Sequence, residues 1–245
     1  MSILRSSSSL LALAATALLA LPSTASATEG YAAHGFGARH MALAGAGAAD
    51  SRDATAASLN PAGLVHVGDE FVMSVSAFNP NRSFSTDGPG AVITGPLELD
   101  SDKPWFFIPN MAYNTRAFAN PLFDSLAFTM VGNGGMNTSF PDFANPSPFC
   151  GLAALGGLSG SGAFCNGAAG INLLQMIMSV AVAKQITPGI SVGIAPMFAL
   201  QGFDARGLEF FNNFTAPGTR IGSNENDWGY GFGLRGGIEL SPMQN

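Results

Sequence analysis

The strongest constraint on this chain is a strict alternation of side chains near its C-terminal end. Large apolar residues alternate there with glycine or a charged residue. One set of positions holds Trp228, Tyr230, Phe232, Leu234, Ile238 and Leu240, and the other holds Gly229, Gly231, Gly233, Arg235, Gly237 and Glu239. A period of two residues places the two sets on opposite faces of a β-strand. The pattern therefore predicts a strand with one apolar face and one face of small or charged side chains.

The same period recurs along the chain and predicts six strands. Their ranges are 71–79, 105–116, 122–131, 174–183, 190–201 and 228–240. Their lengths of 9 to 13 residues are close to the roughly nine to eleven that a tilted strand needs to cross a bilayer. Short connections near Pro121 and Pro188 alternate with long ones at 80–104, 132–170 and 202–227, an asymmetry typical of outer-membrane barrels. A soluble sandwich would show the same period, so the alternation alone leaves both architectures open.

Composition favours strands that face lipid. Only 11% of the residues are charged, whereas 47% are apolar and 31 are glycine. About a quarter of the residues are charged in an ordinary soluble domain. The net charge of -6 gives no reason to expect nucleic acid as a partner.

The first residues predict export. Arg5 precedes an apolar run at 10–21, and Ala25-Ser26-Ala27 resembles a cleavage site, the three parts of a signal peptide. We expect residues 1–27 to be removed and the mature chain to begin near Thr28. The apolar run is too short to span a bilayer as a helix. We therefore expect the strands to span the membrane, and we expect this to be the outer membrane of a Gram-negative bacterium.

Nothing in the sequence predicts catalysis or a cofactor. A Gly-x-Ser-x-Gly motif is absent, and the histidines His34, His40 and His66 show no metal-ligand spacing. We therefore expect no enzyme activity, no cofactor and no metal site. Cys150 and Cys165 are the only two cysteines, and in an exported protein we expect them to form a disulfide.

Three stretches of the chain resemble the FadL/TodX family of outer-membrane transporters for long-chain fatty acids and aromatic or aliphatic hydrocarbons. They are the small-residue segment 30–64 ending in Asn60-Pro61-Ala62, the run Pro109-Asn110-Met111, and the glycine-aromatic stretch 227–233. The resemblance implies an all-β transmembrane antiparallel β-barrel of about fourteen strands, of which this chain would supply six. Residues 28–67 would form a hatch that plugs the lumen, and residues 68–245 the N-terminal part of the barrel. Asn60, Pro61 and Ala62 become candidate gating residues, although an ordinary turn capped by Asn explains them nearly as well.

The function implied by this resemblance is passive uptake of a hydrophobic small molecule. The partners would be outer-membrane lipids, the substrate and the C-terminal half of the barrel, which this sequence lacks. Two other functions stay open at this point. A general porin or structural outer-membrane barrel predicts passage of polar solutes, and a soluble secreted β-protein predicts no membrane association.

Two groups of residues are candidates for the path of the substrate. We expect the lumen or a groove to be lined by Phe78, Phe107, Met111 and Tyr113, on a strand register that a slip of one residue would invert. The glycine-rich run Gly132, Asn133, Gly134 and Gly135 follows the third predicted strand. It is either a kink, beside which family members release substrate sideways, or a junction between strand and loop. Apolar residues in the connection 132–170, among them Phe149, Leu152, Leu155, Leu158 and Phe164, form either a capture surface or the core of the loop itself.

Overall fold

The chain is all-β, and its main element is one six-stranded antiparallel sheet. The computed structural model describes residues 32–87, 97–102, 105–218, 220–221 and 223–241, without the side chains of 223–225. The strands are β1 (Glu70–Phe78), β2 (Ser83–Thr86), β3 (Leu97–Asp100), β4 (Phe106–Thr115), β5 (Ser125–Phe140), β6 (Ala169–Thr187), β7 (Ile190–Arg206) and β8 (Ser223–Leu240). The sheet has the order β1-β4-β5-β6-β7-β8, and β2 and β3 form a separate hairpin. Within the described residues the sheet is not closed, and β1 and β8 are its edges.

Short helical segments flank the sheet. They are α1 (Gly37–Ala42), α2 (Pro148–Leu155) and three 3-10 helices at Ala54–Ser58, Pro61–His66 and Glu209–Phe214. Three of them begin at a residue whose side chain accepts a hydrogen bond from the backbone of the first turn: Asp53, Asn60 and Ser147. Such caps satisfy backbone donors that a helix start leaves free. In the part of the chain that the structure describes, every helix is too short or too polar to cross a membrane.

The connections alternate between long and short, as the sequence predicted. The long ones contain the β2–β3 hairpin, the segment 141–168 and the segment 207–222, and all three lie at one end of the sheet. Short turns at 116–124 and 188–189 lie at the other end. The predicted signal peptide and the first residues of the predicted hatch lie outside the described residues.

The strands extend further than the sequence predicted. β5 continues to Phe140, and β6, β7 and β8 are also longer than their predicted ranges. Most of the added residues are polar or glycine, so hydropathy did not reveal them. Strand pairing holds them instead, and the Asn137 amide donates to the Asn172 side-chain oxygen at 2.8 Å.

The glycine-rich run 132–135 lies inside β5 and does not end the strand. The register between β5 and β6 shifts between Gly132 and Gly134, which is a β-bulge at Asn133. The N-terminal end of the described chain is attached there, because the Ala33 amide donates to the Asn133 carbonyl at 2.9 Å. A Cβ on Gly132 would lie 2.5 Å from the Ile108 Cγ2, so the Ile108 side chain fills the space beside the bulge.

The two faces of the sheet differ in chemistry. One face, called the outer face here, exposes large apolar side chains: Phe71, Met73, Val75, Phe107, Phe128, Leu174, Val180, Ile194, Trp228, Tyr230, Phe232, Leu234, Ile238 and Leu240. The opposite face, called the inner face, carries small buried residues: Ala112, Ala127, Ala181, Ala183 and Ala195. The alternation predicted for the last three strands is therefore confirmed.

The register predicted for β4 is wrong by one residue. Tyr113 pairs with Phe71, and Phe107 pairs with Ala77, so Phe107, Met111 and Tyr113 lie on the outer face. They are not lumen residues on this geometry. Phe78 shares its parity with inner-face residues of β1, yet it lies near the strand end and is exposed.

Candidate functional site

The inner face of the sheet holds a segment of the same chain, residues 51–67, called the plug here. Its two 3-10 helices are almost fully buried. Leu64 is 0% exposed and packs with Val65 and Ala57 against Ala127, Ala181, Ala183 and Ala195 of β5, β6 and β7. Alanine at these four positions leaves room for the larger plug side chains. The plug thus covers the inner face of the sheet in place of solvent.

Two glycines in neighbouring strands make room for the turn that joins the two helices of the plug. Gly193 of β7 pairs with Gly237 of β8. A Cβ on Gly193 would lie 2.5 Å from the Ala62 nitrogen, and one on Gly237 would lie 3.0 Å from the Pro61 Cδ. Close approach of two backbones requires glycine. Gly193 and Gly237 therefore form a notch that receives Asn60 and Pro61.

Hydrogen bonds fix the plug in this notch. The Asn60 amide donates to the Ile238 carbonyl at 3.1 Å and to the Ala48 carbonyl at 2.9 Å. The Ser191 hydroxyl donates to the Ala62 carbonyl at 3.0 Å. Asn60, Pro61 and Ala62, singled out in the sequence, therefore all contact β7 or β8, and Asn60 also caps the second helix.

The C-terminal end of the plug is bound by β4. The fully buried Asn114 amide donates to the carbonyls of Val67 and Gly68, at 3.1 and 2.9 Å. Its oxygen accepts from the Ser125 hydroxyl at 2.7 Å. Both the nitrogen and the oxygen of this buried side-chain amide therefore have hydrogen-bond partners, as burial requires.

A carboxylate of β8 that sequence reasoning did not single out also binds the plug. Glu239 accepts a hydrogen bond from the Ser51 hydroxyl at 2.5 Å, and its other oxygen lies 3.6 Å from His66 Nε2. In the sequence, Glu239 is one more polar residue on the small face of β8. Only a contact between residues 188 positions apart distinguishes it.

The outer face is apolar between two polar rows. Leu174 to Val182 of β6 form its apolar part, and Lys184 lies beyond one end of it and Asn172 beyond the other. Lys184 pairs with Asp124 at 2.8 Å, and Asn172 is aligned with Asn137 of β5 and Asp204 of β7. At about 3.3 Å per residue and a tilt near 40°, the apolar height lies between about 20 and 30 Å. A transmembrane barrel has an apolar band of about 25 Å.

Two carboxyls outside the strands have their pKa lowered by a charged partner. A hydrogen bond from Lys184, joined by the Gln185 amide, holds the pKa of Asp124 below its ordinary value. Arg39 donates to Asp50 at 2.5 Å and lowers the pKa of that carboxyl in the same way. Both carboxylates are therefore charged at any neutral pH.

The long connection 141–168 has a small core and an exposed apolar surface. Cys150 and Cys165 are joined by a disulfide, and they pack with Ala153 and Leu158 against Phe210 from the connection 207–222. Phe164 makes an edge contact with Phe211. On the other side of α2, Leu152 is 64% and Leu155 87% exposed. The connection therefore has a core of its own, as one of the two interpretations predicted, and it also exposes Leu152 and Leu155.

No protein-family model and no curated protein matches the sequence. Solved structures similar to the chain include a crystal structure of a Pseudomonas aeruginosa FadL homologue, with 13% sequence identity and a TM-score of 0.37. The likeness covers 78% of this chain and 44% of that chain. It is a weak structural likeness, and the chain spans less than half of that structure.

Proposed function

We propose that this chain supplies the wall and the plug of an outer-membrane passage, the wall being the six-stranded sheet. The passage would take up hydrophobic compounds, either long-chain fatty acids or aromatic and aliphatic hydrocarbons. The observation that carries the proposal is the two-faced sheet. Its outer face is apolar, exposed and bounded by polar rows, whereas its inner face is small and filled by a plug. A soluble sandwich would cover the apolar face and expose the other.

The mechanism in this proposal is passive. Hydrophobic molecules collect on the apolar surface of α2, at the end of the sheet that carries the long connections. The plug closes the inner face and must shift to let them through. The bulge at Asn133 is where we place sideways release into the membrane, which requires the Ile108 side chain beside Gly132 to move.

The membrane assignment is tested by placing a charge on each of two exposed phenylalanines. Phe232, 87% exposed, lies within the apolar band, and Phe214, 72% exposed, lies in the connection 207–222 outside it. A cation at the bilayer midplane costs about 2 to 4 kcal/mol, and much less at the interfaces. We therefore expect Phe232→Arg to reduce membrane insertion and Phe214→Arg to leave it unchanged. If both variants insert equally, or the parent stays soluble, the outer-membrane assignment fails.

Substrate class is tested by binding of a fluorescent C18 fatty acid. Replacing Leu152 and Leu155 together by Asp removes apolar contact from α2, and the loss of one or two leucine contacts should weaken binding by about tenfold or more. The matched control is Leu122→Asp, because Leu122 is 83% exposed in a short turn at the opposite end. A parent that binds no fatty acid or hydrocarbon, yet passes small sugars in vesicles, would be a general porin.

A further inference from the structure

We propose that Glu239 holds the plug in its seated position by binding Ser51 and His66 together. This assignment makes Glu239 a positioning residue. It deepens the proposed function, because a seated plug is what closes the passage.

The geometry places one wall carboxylate between two plug side chains. Ser51 donates to Glu239 Oε2 at 2.5 Å, and His66 Nε2 lies 3.6 Å from Oε1. The Glu239 side chain is only 12% exposed. A hydrogen bond to an ionised group that is largely shielded from water is stronger than one between neutral groups.

The two partners lie at opposite ends of the plug. Ser51 precedes the first 3-10 helix, and His66 is the last residue of the second. A single carboxylate therefore fastens both ends to β8 and also holds them near each other. Releasing Glu239 removes one contact at each end at once, while the bonds from Asn114 to Val67 and Gly68 remain.

The fold leaves space for this carboxylate at one position of the plug. A Cβ on Gly63 would lie 2.0 Å from the Ser51 hydroxyl and 2.9 Å from Glu239 Oε2. Any larger residue at position 63 would push Ser51 or Glu239 away. Gly63 is thus part of the same arrangement.

The other attachments of the plug use backbone atoms on at least one side. Asn60 binds the Ile238 carbonyl, Ser191 binds the Ala62 carbonyl, and Glu70 accepts from the Ala54 amide. Among the described residues, Glu239 is the residue of the sheet whose side chain makes polar contacts with two plug side chains. Because this contact joins side chains on both sides, a substitution in either β8 or the plug can remove it.

The test measures how accessible the plug is, and it needs no substrate. Ala57, 0% exposed in the plug, is replaced by Cys as a reporter, and the native cysteines are occupied by their disulfide. The full chain, reconstituted in vesicles, is labelled with a water-soluble maleimide. We expect Glu239→Ala to raise the labelling rate about tenfold or more, the loss typical of a charge-assisted hydrogen bond. Glu239→Gln keeps an acceptor for Ser51 but loses the charge facing His66. Its labelling rate should therefore fall between those of the parent and of Glu239→Ala.

Two further variants make the test specific. Ser51→Ala changes the plug alone, should raise the rate as well, and should add little in the background of Glu239→Ala, because both remove the same contact. Asp124→Asn removes a carboxylate of the turn 116–124 that binds Lys184 and not the plug, so its rate should equal that of the parent. The assignment is overturned if Ser51→Ala leaves the rate within twofold of the parent, or if the two single effects multiply in the double variant. Either result would leave the proposed function intact. If the variants show the expected labelling pattern but the parent binds no fatty acid, the transport proposal fails and the role of Glu239 stands.

Discussion

Replacing Gly193 by alanine should loosen the plug, although alanine suits a strand better than glycine does. Glycine inside a strand is less favourable than alanine by roughly 0.5 to 1 kcal/mol, because it loses more freedom on folding. Propensity alone therefore predicts that Gly193→Ala is stabilising. The structure predicts the opposite sign.

The magnitude follows from what the added methyl group would meet. A Cβ on Gly193 would lie 2.5 Å from both the Ala62 nitrogen and the Pro61 carbonyl carbon, and 2.7 Å from the Pro61 carbonyl oxygen. These are backbone atoms that cannot rotate away, so the plug must shift. Overpacking of this kind costs about 1 to 3 kcal/mol. Displacing the plug would also break the hydrogen bond from Ser191 to Ala62, which contributes about 1 kcal/mol.

Gly236 supplies the matched control. It lies in β8 beside Gly237, and a Cβ there would meet nothing within 4 Å. Gly236→Ala should leave the free energy of unfolding unchanged or raise it by less than about 1 kcal/mol. Urea unfolding in detergent micelles, followed by tryptophan fluorescence, measures both variants against the parent. If Gly193→Ala unfolds at the same or a higher urea concentration than the parent, the plug does not sit where the notch places it.

Three further predictions concern the plug core, the outer loop and the turn end of the wall. Leu64→Ala empties a fully buried site and should lower the free energy of unfolding, measured in urea, by about 2 to 5 kcal/mol. Leu122→Ala, at an exposed position, should change it by less than about 0.5 kcal/mol. Equal effects would contradict the burial of Leu64. Removing the disulfide with Cys150→Ser and Cys165→Ser should destabilise the loop by about 3 kcal/mol on the chain-entropy argument. Chymotrypsin should therefore cleave the connection 141–168 faster than in the oxidised parent. Unchanged cleavage would contradict a stabilising contribution of the disulfide. The pKa of Asp124 is lowered by the hydrogen bond from Lys184, so this carboxylate stabilises the fold above its unfolded pKa and that contribution is lost as the pH falls through the folded pKa, below about pH 4. Asp124→Asn should remove this part of the acid dependence of the urea midpoint, and parallel acid profiles for variant and parent would count against the ion pair.

The sequence predicted the faces of β6, β7 and β8 because each carries large side chains on one parity and small ones on the other. β4 is different, since Phe106 and Phe107 are both large and apolar. The cue that resolves it is the position of the small and amide residues: Ala112, Asn110 and Asn114 share one parity, and that parity faces the plug. Size and polarity together would have placed Phe107 and Tyr113 outside, as they do for the later strands.

Strand ends were less predictable for a physical reason. Hydropathy marks the part of a strand that faces an apolar environment, whereas pairing continues as long as the neighbouring backbone does. β5 and β6 pair from Ser125 to Phe140, well past the last apolar residue of the outer face of β5. The predicted range of 122–131 therefore described the apolar band and not the strand.

The glycines of β7 and β8 show where sequence pattern ends and structure begins. Gly229, Gly231 and Gly237 look alike in an alternating strand, yet a Cβ would lie 3.9 Å from the Gln201 Cβ at the first and 3.5 Å from the Ala199 Cβ at the second, and it would clash with Asn60 at the third. The alternation predicts that all three positions tolerate a small residue. Which of them requires glycine depends on a plug residue far away in the chain. The same holds for Glu239, whose two plug partners make it more than a polar residue on the small face. Substitutions at Gly237 and Glu239 should therefore act on the plug, and the same kinds of substitution elsewhere on β8 should act on the strand alone.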